Sequence, residues 1–365
     1  MSYDAIIAGG GIVGTACADE LARQGLKVVV IEPGALGGGA TAAGMGHIVV
    51  MDDSEAEFAL TDYSRRLWME LAPELPEEAE FLPAGTLWVA ADDEEMAEVR
   101  RKLAFYRQRN VSAHVLNERE LGEAEPNLRR GLAGGLLVAA DSVVYPPVAA
   151  RFLMERARRH GAELRQGRVT AIRDTEVRLH DGCTLTAGCI VNATGAAAPG
   201  VQPRKGHLLI TDRYPGFVNH QLIELGYLKS AHSIDADSVA FNVQPRRTGQ
   251  VLIGSSRQYG NTDPSIDARM MGWMLERAAA YMPAIARLSA IRGWTGFRAS
   301  TPDKLPLIGP CPGYRNVWLA AGHEGLGITT SLGTARLLTA QILGRRAAIP
   351  IEPYLPSRNY DTASH

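Results

Sequence analysis

The opening of the chain shows two short apolar runs separated by a helical pattern. "AIIAG" (Ala5 to Gly9) and "KVVVIE" (Lys27 to Glu32) predict strands. Between them "GTACADELARQG" keeps small and apolar residues at helical spacing and ends at Gly25, so the pattern predicts β-α-β. A glycine-rich stretch, "PGALGGGATAAGMGHIVV", leads into "SEAEFALTDYSRRLWMELAPEL", a helix capped by Ser54 and ended by Pro73 and Pro76. From Phe81 the texture becomes a strand and an acid-capped helix in "FLPAGTLWVAADDEEMAEVRRKLAFYRQRN", then the strand-like "GGLLVAA", which reads as an inserted element. "PPVAARFLMERARRHGAEL" opens with prolines suited to a first helical turn and precedes the strands of "RVTAIRD", "EVRLHD" and "GCTLTAGCIVNATG". Lys205 to about Arg298 is dominated by β patterns, "HLLITD", "SVAFNVQPRRTGQVLIGSS" and "GWTGFRAS", broken by the helical "SIDARMMGWMLERAAAYMP". No repeat, low-complexity run or long linker separates these blocks, so two domains are expected to interleave.

Composition narrows the partners. The 365 residues suffice for about two domains with large cores. With 38 basic and 40 acidic residues the net charge is -2, which argues against nucleic acid and anionic membrane and for a small-molecule ligand. Cys17, Cys183, Cys189 and Cys311 are scattered without the close pairs of a zinc or iron-sulfur site, so no metal is expected. "MSYD" runs directly into a strand without a basic region or cleavage site, and no apolar run approaches the roughly 18 residues of a membrane span. A reduced, cytoplasmic protein without a transmembrane segment is the expectation.

Candidate chemistry begins at Gly9-Gly10-Gly11-Ile12-Val13-Gly14, which fits G-x-G-x-x-G with a strand before it, a helix after it and a second strand ending at Glu32. Gly9 permits the turn, Gly11 the approach of a pyrophosphate, and Gly14 the packing of helix on strand, while unpaired N–H groups at the helix start receive the anion. Glu32 suits a ribose hydroxyl and repels a 2'-phosphate, which disfavours NADP; NAD and FAD both stay open on these residues. A second glycine-rich helix start, "GHEGLGITTS" (Gly322 to Ser331), lies far away near the C-terminus. Its Gly322, Gly325 and Gly327 expose backbone amides at a positive helix end suited to developing negative charge.

Those motifs, together with "CIVNATGAAAPG" and "FRASTPDKLPLIGP" before "NVWLAA", resemble the D-amino acid oxidase superfamily of FAD-dependent amine and amino acid oxidoreductases, which includes glycine oxidase and monomeric sarcosine oxidase. The resemblance covers nearly the whole chain. It implies a mixed α/β fold of the glutathione-reductase-like kind: a discontinuous Rossmann-like FAD-binding domain (1–80, 136–203 and 300–365) and an interleaved antiparallel-sheet substrate domain (81–135 and 204–299). Both glycine segments would then serve one flavin, the first holding the pyrophosphate and the last facing N1 and O2 of the ring. The implied cofactor residues are Gly9, Gly11, Ile12, Val13 and Gly14; Glu32 and Pro33; Thr41, Ala42, Gly44, Met45, Gly46 and His47; Val169; Ala193, Thr194 and Gly195; Arg298; and His323, Glu324, Gly325, Leu326, Gly327, Ile328 and Thr329. Relatives that bind flavin covalently use a histidine before Ala-Ala-Gly, where this chain has Thr41, so non-covalent FAD is expected.

By motif Arg298 corresponds to the arginine that holds a substrate carboxylate, a task for which a guanidinium fork is suited. An arginine paired with Asp303 is the plainer alternative. Tyr227 and Tyr259 are candidate substrate residues, with ordinary packing as their alternative. Arg298, His323 and His47 form the candidate catalytic set, although each imidazole taken singly, like His207, reads more readily as a satisfied structural histidine. Lys205 and Gly206 match the segment where the chain leaves the FAD domain. Glycine oxidase carries a second arginine where this chain has Gly325, which puts glycine itself in doubt as substrate.

No second dinucleotide fingerprint is visible, so electrons are expected from an organic donor. More narrowly, "GGGATAAGMGHIVVMDDS", "GTLWVAADDEE" and "GGLLVAADSVVYPP" resemble the FAD catalytic subunit of bacterial D-hydroxyproline dehydrogenases. That implies hydride transfer from the α-carbon of a D-amino acid or cyclic secondary amino acid to flavin N5, an imine product, and electrons passed to separate partner subunits in a homo- or hetero-oligomer. The alternatives are a glycine- or sarcosine-type oxidase reducing oxygen to peroxide, and a non-catalytic FAD-binding subunit.

Overall fold

The computed structural model describes residues 2–226 and 237–359. The chain divides into two compact units, Met1–Ala79 with Tyr145–Pro203 and Phe297–His365, and Glu80–Val144 with Arg204–Gly296.

In the first unit, β1 (Ser2–Ala8), β2 (Val28–Glu32), β8 (Glu163–Gln166), β11 (Thr184–Asn192) and β18 (Val317–Ala321) form a parallel sheet in the order β18-β11-β1-β2-β8. β17 (Leu307–Pro310) is antiparallel on β18, and the hairpin of β9 (Val169–Arg173) and β10 (Glu176–Leu179) joins β11. Ile6, Ile7, Val28, Val29 and Val30 are fully buried, which is why the central strands read as unbroken apolar runs. Helices supply the covering: α1 (Ile12–Arg23) packs on α6 (Pro146–Arg159) and on α8 (Gly327–Ile342), and α3 (Glu55–Leu71) packs on α8. The glycine-rich stretch after β2 contributes a short α2 (Gly39–Ala43) and β3 (His47–Ile48).

The second unit is mainly antiparallel. Its strands run in the order β16 (Ala290–Ser300), β12 (Gln202–Arg213), β15 (Gln250–Arg257), β14 (Ser238–Pro245), β13 (Gln221–Glu224), β4 (Thr86–Ala90), β6 (Gly134–Val138), β5 (His114–Asn117), with β13 and β4 parallel. α4 (Asp93–Gln108), α5 (Glu118–Ala124), α7 (Ala268–Tyr281) and the short β7 (Ser142–Val143) complete it. Its core gathers Leu87, Leu222, Phe241, Val243, Ile253 and Met274, and the Phe241 ring stacks on Tyr281 at 4.6 Å.

Three expected boundaries move, the first by one residue, since Glu80 opens the second unit. Residues 136–144 belong to the second unit, not to the nucleotide-binding one, because β6 hydrogen-bonds between β4 and β5. Phe297 to Ala299, expected in the substrate domain, belong to the first unit. There Ala299 bridges to Glu324, whose N–H donates to the Ala299 carbonyl at 2.7 Å, and this long-range pair carries Arg298 with it.

Candidate active site

The first glycine turn is closed by backbone packing. Gly9 has φ +109, and a Cβ there would stand 2.5 Å from the Ala193 carbonyl oxygen; one on Gly14 would overlap the Gly9 carbonyl. Only glycine fits either position. Ala193 N–H donates to the Ala8 carbonyl at 2.9 Å, so the Asn192-Ala193-Thr194-Gly195 segment lies directly behind the turn. Asn192 Oδ1 accepts from Thr194 N–H (3.2 Å) and Oγ1 (2.7 Å), an Asx turn that fixes that segment. Glu32 is oriented by two backbone donors, Gly10 N–H to Oε2 at 2.7 Å and Gly34 N–H to Oε1 at 2.9 Å. A carboxylate accepts about four hydrogen bonds, so lone pairs remain for a diol. Gly167 N–H donates to the Glu32 carbonyl, which brings the start of β9 at Val169 toward the same strand end.

Thr41, expected among the cofactor residues, also has a structural task. It is 7% exposed, and its Oγ1 accepts the Ile12 N–H at 3.0 Å in the first turn of α1. The stretch it opens then reaches α8. Thr329 Oγ1 donates to the His47 carbonyl at 2.8 Å and accepts Val49 N–H at 3.3 Å, and a Cβ on Gly44 would stand 2.9 Å from Ile328 Cδ1. Residues 41–49 therefore link the two glycine-rich helix starts into one continuous surface of the first unit. The N-cap residues of α1 and α8 make no side-chain cap and neither helix has an acidic residue in its first turn, so, apart from the Ile12 N–H taken by Thr41, both present positive ends.

Arg298 sits where these segments meet. A Cβ on Gly325 would stand 3.7 Å from Arg298 Nε, and the guanidinium also acts on His47. Burial first, and the Arg298 charge second, pull the His47 imidazole down to about 4, so it is neutral at physiological pH. The alternative pairing of Arg298 with Asp303 does not form: Asp303 is held by Arg358, at 2.7 Å to Nε and 3.2 Å to Nη2. His323 is 6% exposed; burial takes it to about 4, and its Nε2 lies 3.0 Å from Thr334 Oγ1, one helix packing on its own preceding loop.

A family profile described as FAD dependent oxidoreductase (DAO) matches residues 4–341. The chain belongs to this family. It is 29% identical to glycine oxidase of Geobacillus kaustophilus over 98% of this chain and 97% of that one. The crystal structure of a glycine oxidase from that organism superimposes with a TM-score of 0.87 at 28% identity, covering 97% of this chain and 98% of that one. Hydrogen cyanide synthase subunit HcnC of Pseudomonas aeruginosa is 28% identical over 98% of this chain and 96% of the relative. L-proline dehydrogenase from P. horikoshii shares the fold, with a TM-score of 0.86 at 24% identity over 99% and 98% of the two chains.

As an FAD dependent oxidoreductase of the DAO family, the chain has residues that fit the cofactor. Its first turn admits no side chain at Gly9 or Gly14, and the first turns of α1 and α8 carry no acidic residue, a lining that suits an anionic group. The other site candidates named from the sequence, beyond the cofactor residues, lie in the second unit or outside the described residues. Tyr227 lies outside the described residues. Tyr259 belongs to the second unit, where the Arg204 guanidinium covers its ring at 4.5 Å and its N–H donates to Asp237 at 3.3 Å. His207, fully buried in the same unit, pairs through Nδ1 with Ser256 Oγ at 2.8 Å and accepts the Asp267 N–H at 3.1 Å through Nε2, a satisfied structural histidine. Lys205 is 1% exposed and contributes backbone pairing to Gln258. Among the described residues no His, Cys, Asp and Glu group suits a metal, and no helix is long and apolar enough to cross a membrane.

Proposed function

We propose that this chain oxidises the carbon-nitrogen bond of a small amino acid, a D-amino acid or a cyclic secondary one of the proline class, and hands the electrons to a separate acceptor. One observation carries the reading: a guanidinium, Arg298, lies beside Gly325 and acts electrostatically on His47, so it serves both residues 41–49 and the start of α8. Bound FAD supplies the two-electron acceptor for the hydride that leaves the substrate α-carbon. Arg298 pairs with the substrate carboxylate and fixes the α-carbon. His47, neutral because it is buried beside that cation, adds no second charge to compete for the carboxylate. Gly325 leaves open the space beside Arg298, which favours a substrate with a ring or side chain over glycine. Gly9 to Gly14, Glu32, Thr41 and Gly44 hold the cofactor non-covalently.

The oxidase reading is favoured by the glycine oxidases among the relatives, and the partner-subunit reading by HcnC, which is described as a subunit. The test is anaerobic titration of the purified yellow protein with D- and L-proline, their hydroxy derivatives, D-alanine, sarcosine and glycine. Bleaching by the proline class, with dye reduction exceeding peroxide formation in air, is expected. Bleaching by glycine with stoichiometric peroxide transfers the assignment to an oxidase, and no bleaching by any amine leaves a non-catalytic subunit.

A further inference from the structure

α3 meets α8 along one ridge. Leu60, Ser64 and Trp68 recur every four residues, all 1% exposed or less, and Gly333 of α8 lies in their path. Ser64 Oγ donates to the Thr329 carbonyl at 2.6 Å and accepts the Gly333 N–H at 2.9 Å. Those are the two groups that an α-helix pairs with each other, four residues apart, so the hydroxyl is threaded into the backbone ladder of α8. One turn further along α3, Trp68 Nε1 donates to both the Ile328 carbonyl (3.0 Å) and the Thr329 carbonyl (3.1 Å). Two side chains of α3 thus hold the carbonyls of the first turn of α8 from behind, while Thr329 Oγ1 ties its front to His47 and Val49.

A carbonyl and the following N–H belong to one peptide group. A hydrogen bond accepted by the Ile328 carbonyl withdraws electron density from that group and makes the Thr329 N–H a stronger donor. The Thr329 N–H is one of the first N–H groups of a helix without a side-chain cap.

We infer that Ser64 and Trp68 are positioning residues that aim and polarise the start of α8, and so set how strongly the protein favours the reduced, negatively charged flavin. With that helix start turned toward the ring, as proposed above, their effect reaches the cofactor without touching it. A purely structural ridge would lower stability and leave the flavin potential unchanged.

Trp68→Phe keeps the ring and removes the N–H; Ser64→Ala removes the hydroxyl and keeps the Cβ. Each holoprotein is purified and read for FAD content, for the midpoint potential by dye equilibration, for sulfite affinity and for melting temperature. Both variants are expected to keep FAD, to show a midpoint shifted negative by about 30 mV, a tenfold change for a two-electron couple, and to bind sulfite about tenfold more weakly. Trp68→Phe preserves most of the packing and therefore decides the matter even where Ser64→Ala does not accumulate. Yellow variants with lowered melting temperatures and wild-type potentials overturn the inference alone. A colourless wild-type protein that takes up no FAD overturns it together with the cofactor reading.

Discussion

At the scale of the residue, the site depends on positions where a single atom changes the outcome. Gly14→Ala puts a Cβ onto the Gly9 carbonyl, and the Gly9 turn is held by its own N–H on the Ile31 carbonyl and by Ala193 N–H on the Ala8 carbonyl. The expected product is a folded protein with little or no bound flavin, checked by flavin absorbance per mole of protein after reconstitution with excess FAD. Full occupancy would show that the turn does not receive the pyrophosphate. Arg298 is tested on substrate instead. A hydrogen bond to a charged group is worth about 1.5–3 kcal/mol, so Arg298→Ala should cost about 10- to 150-fold in the rate constant for flavin reduction at low substrate. Arg298→Lys keeps the charge and loses the fork, and should fall between wild type and alanine. An alanine variant reduced as fast as wild type at every substrate concentration would remove the carboxylate role.

At the scale of the element, two glycines on helices make opposite predictions. A Cβ on Gly333 of α8 would stand 3.0 Å from Ser64 Cβ and 3.1 Å from Leu60 Cδ1, whereas one on Gly272 of α7 meets nothing within 4 Å. Alanine gains about 1 kcal/mol over glycine in a helix, and overpacking costs about 1–3 kcal/mol. Gly272→Ala is therefore expected to raise the urea midpoint, and Gly333→Ala to lower it; equal shifts would mean that α3 yields freely. The same contrast explains what could be read from sequence. β1, α1 and β2 were legible because each is a local pattern: a continuous apolar run, a helical spacing, a glycine stop. The pairing of α3 with α8 was not, since Ser64 is an ordinary polar residue until Thr329 and Gly333, more than 260 positions away, are brought beside it. Arg298 was found by its motif yet assigned to the wrong unit, because its place is decided by the bridge between Ala299 and Glu324. Thr41 is named with the cofactor residues by resemblance, but its cap on Ile12 is visible only in three dimensions.

At the scale of the whole molecule, His47, His323 and Glu57 of the first unit carry the largest shifts that bear on stability between pH 4 and 8, and Asp19, raised by burial, acts in the same sense as Glu57 at the acid end. His47 and His323 titrate near 4 in the folded protein, down from an ordinary 6.5, mainly through burial and, for His47, through Arg298. Glu57 moves the other way, from 4.5 to about 8, mainly through burial, with Asp53 and Asp52 adding to the rise and Lys304 opposing it. Between pH 4.5 and 6.5 the unfolded chain holds two imidazole protons that the fold lacks, and the fold holds one carboxyl proton that the unfolded chain lacks. The net is one proton in favour of unfolding, so stability rises with pH by about 1.4 kcal/mol per unit. Above 6.5 the imidazoles are neutral in both states and only Glu57 remains. Stability then falls with pH at a similar slope until about 8, where the folded carboxyl also ionises. Asp263, Asp267 and Asp303 are shifted below the ordinary carboxylate value and act at more acid pH than this window. The expected profile has a maximum near pH 6.5, measured as the denaturation midpoint from pH 4.5 to 9. Glu57→Gln removes the alkaline limb and should leave a plateau, while a wild-type profile that is itself flat from pH 6.5 to 8 would show that Glu57 is ionised in the folded protein.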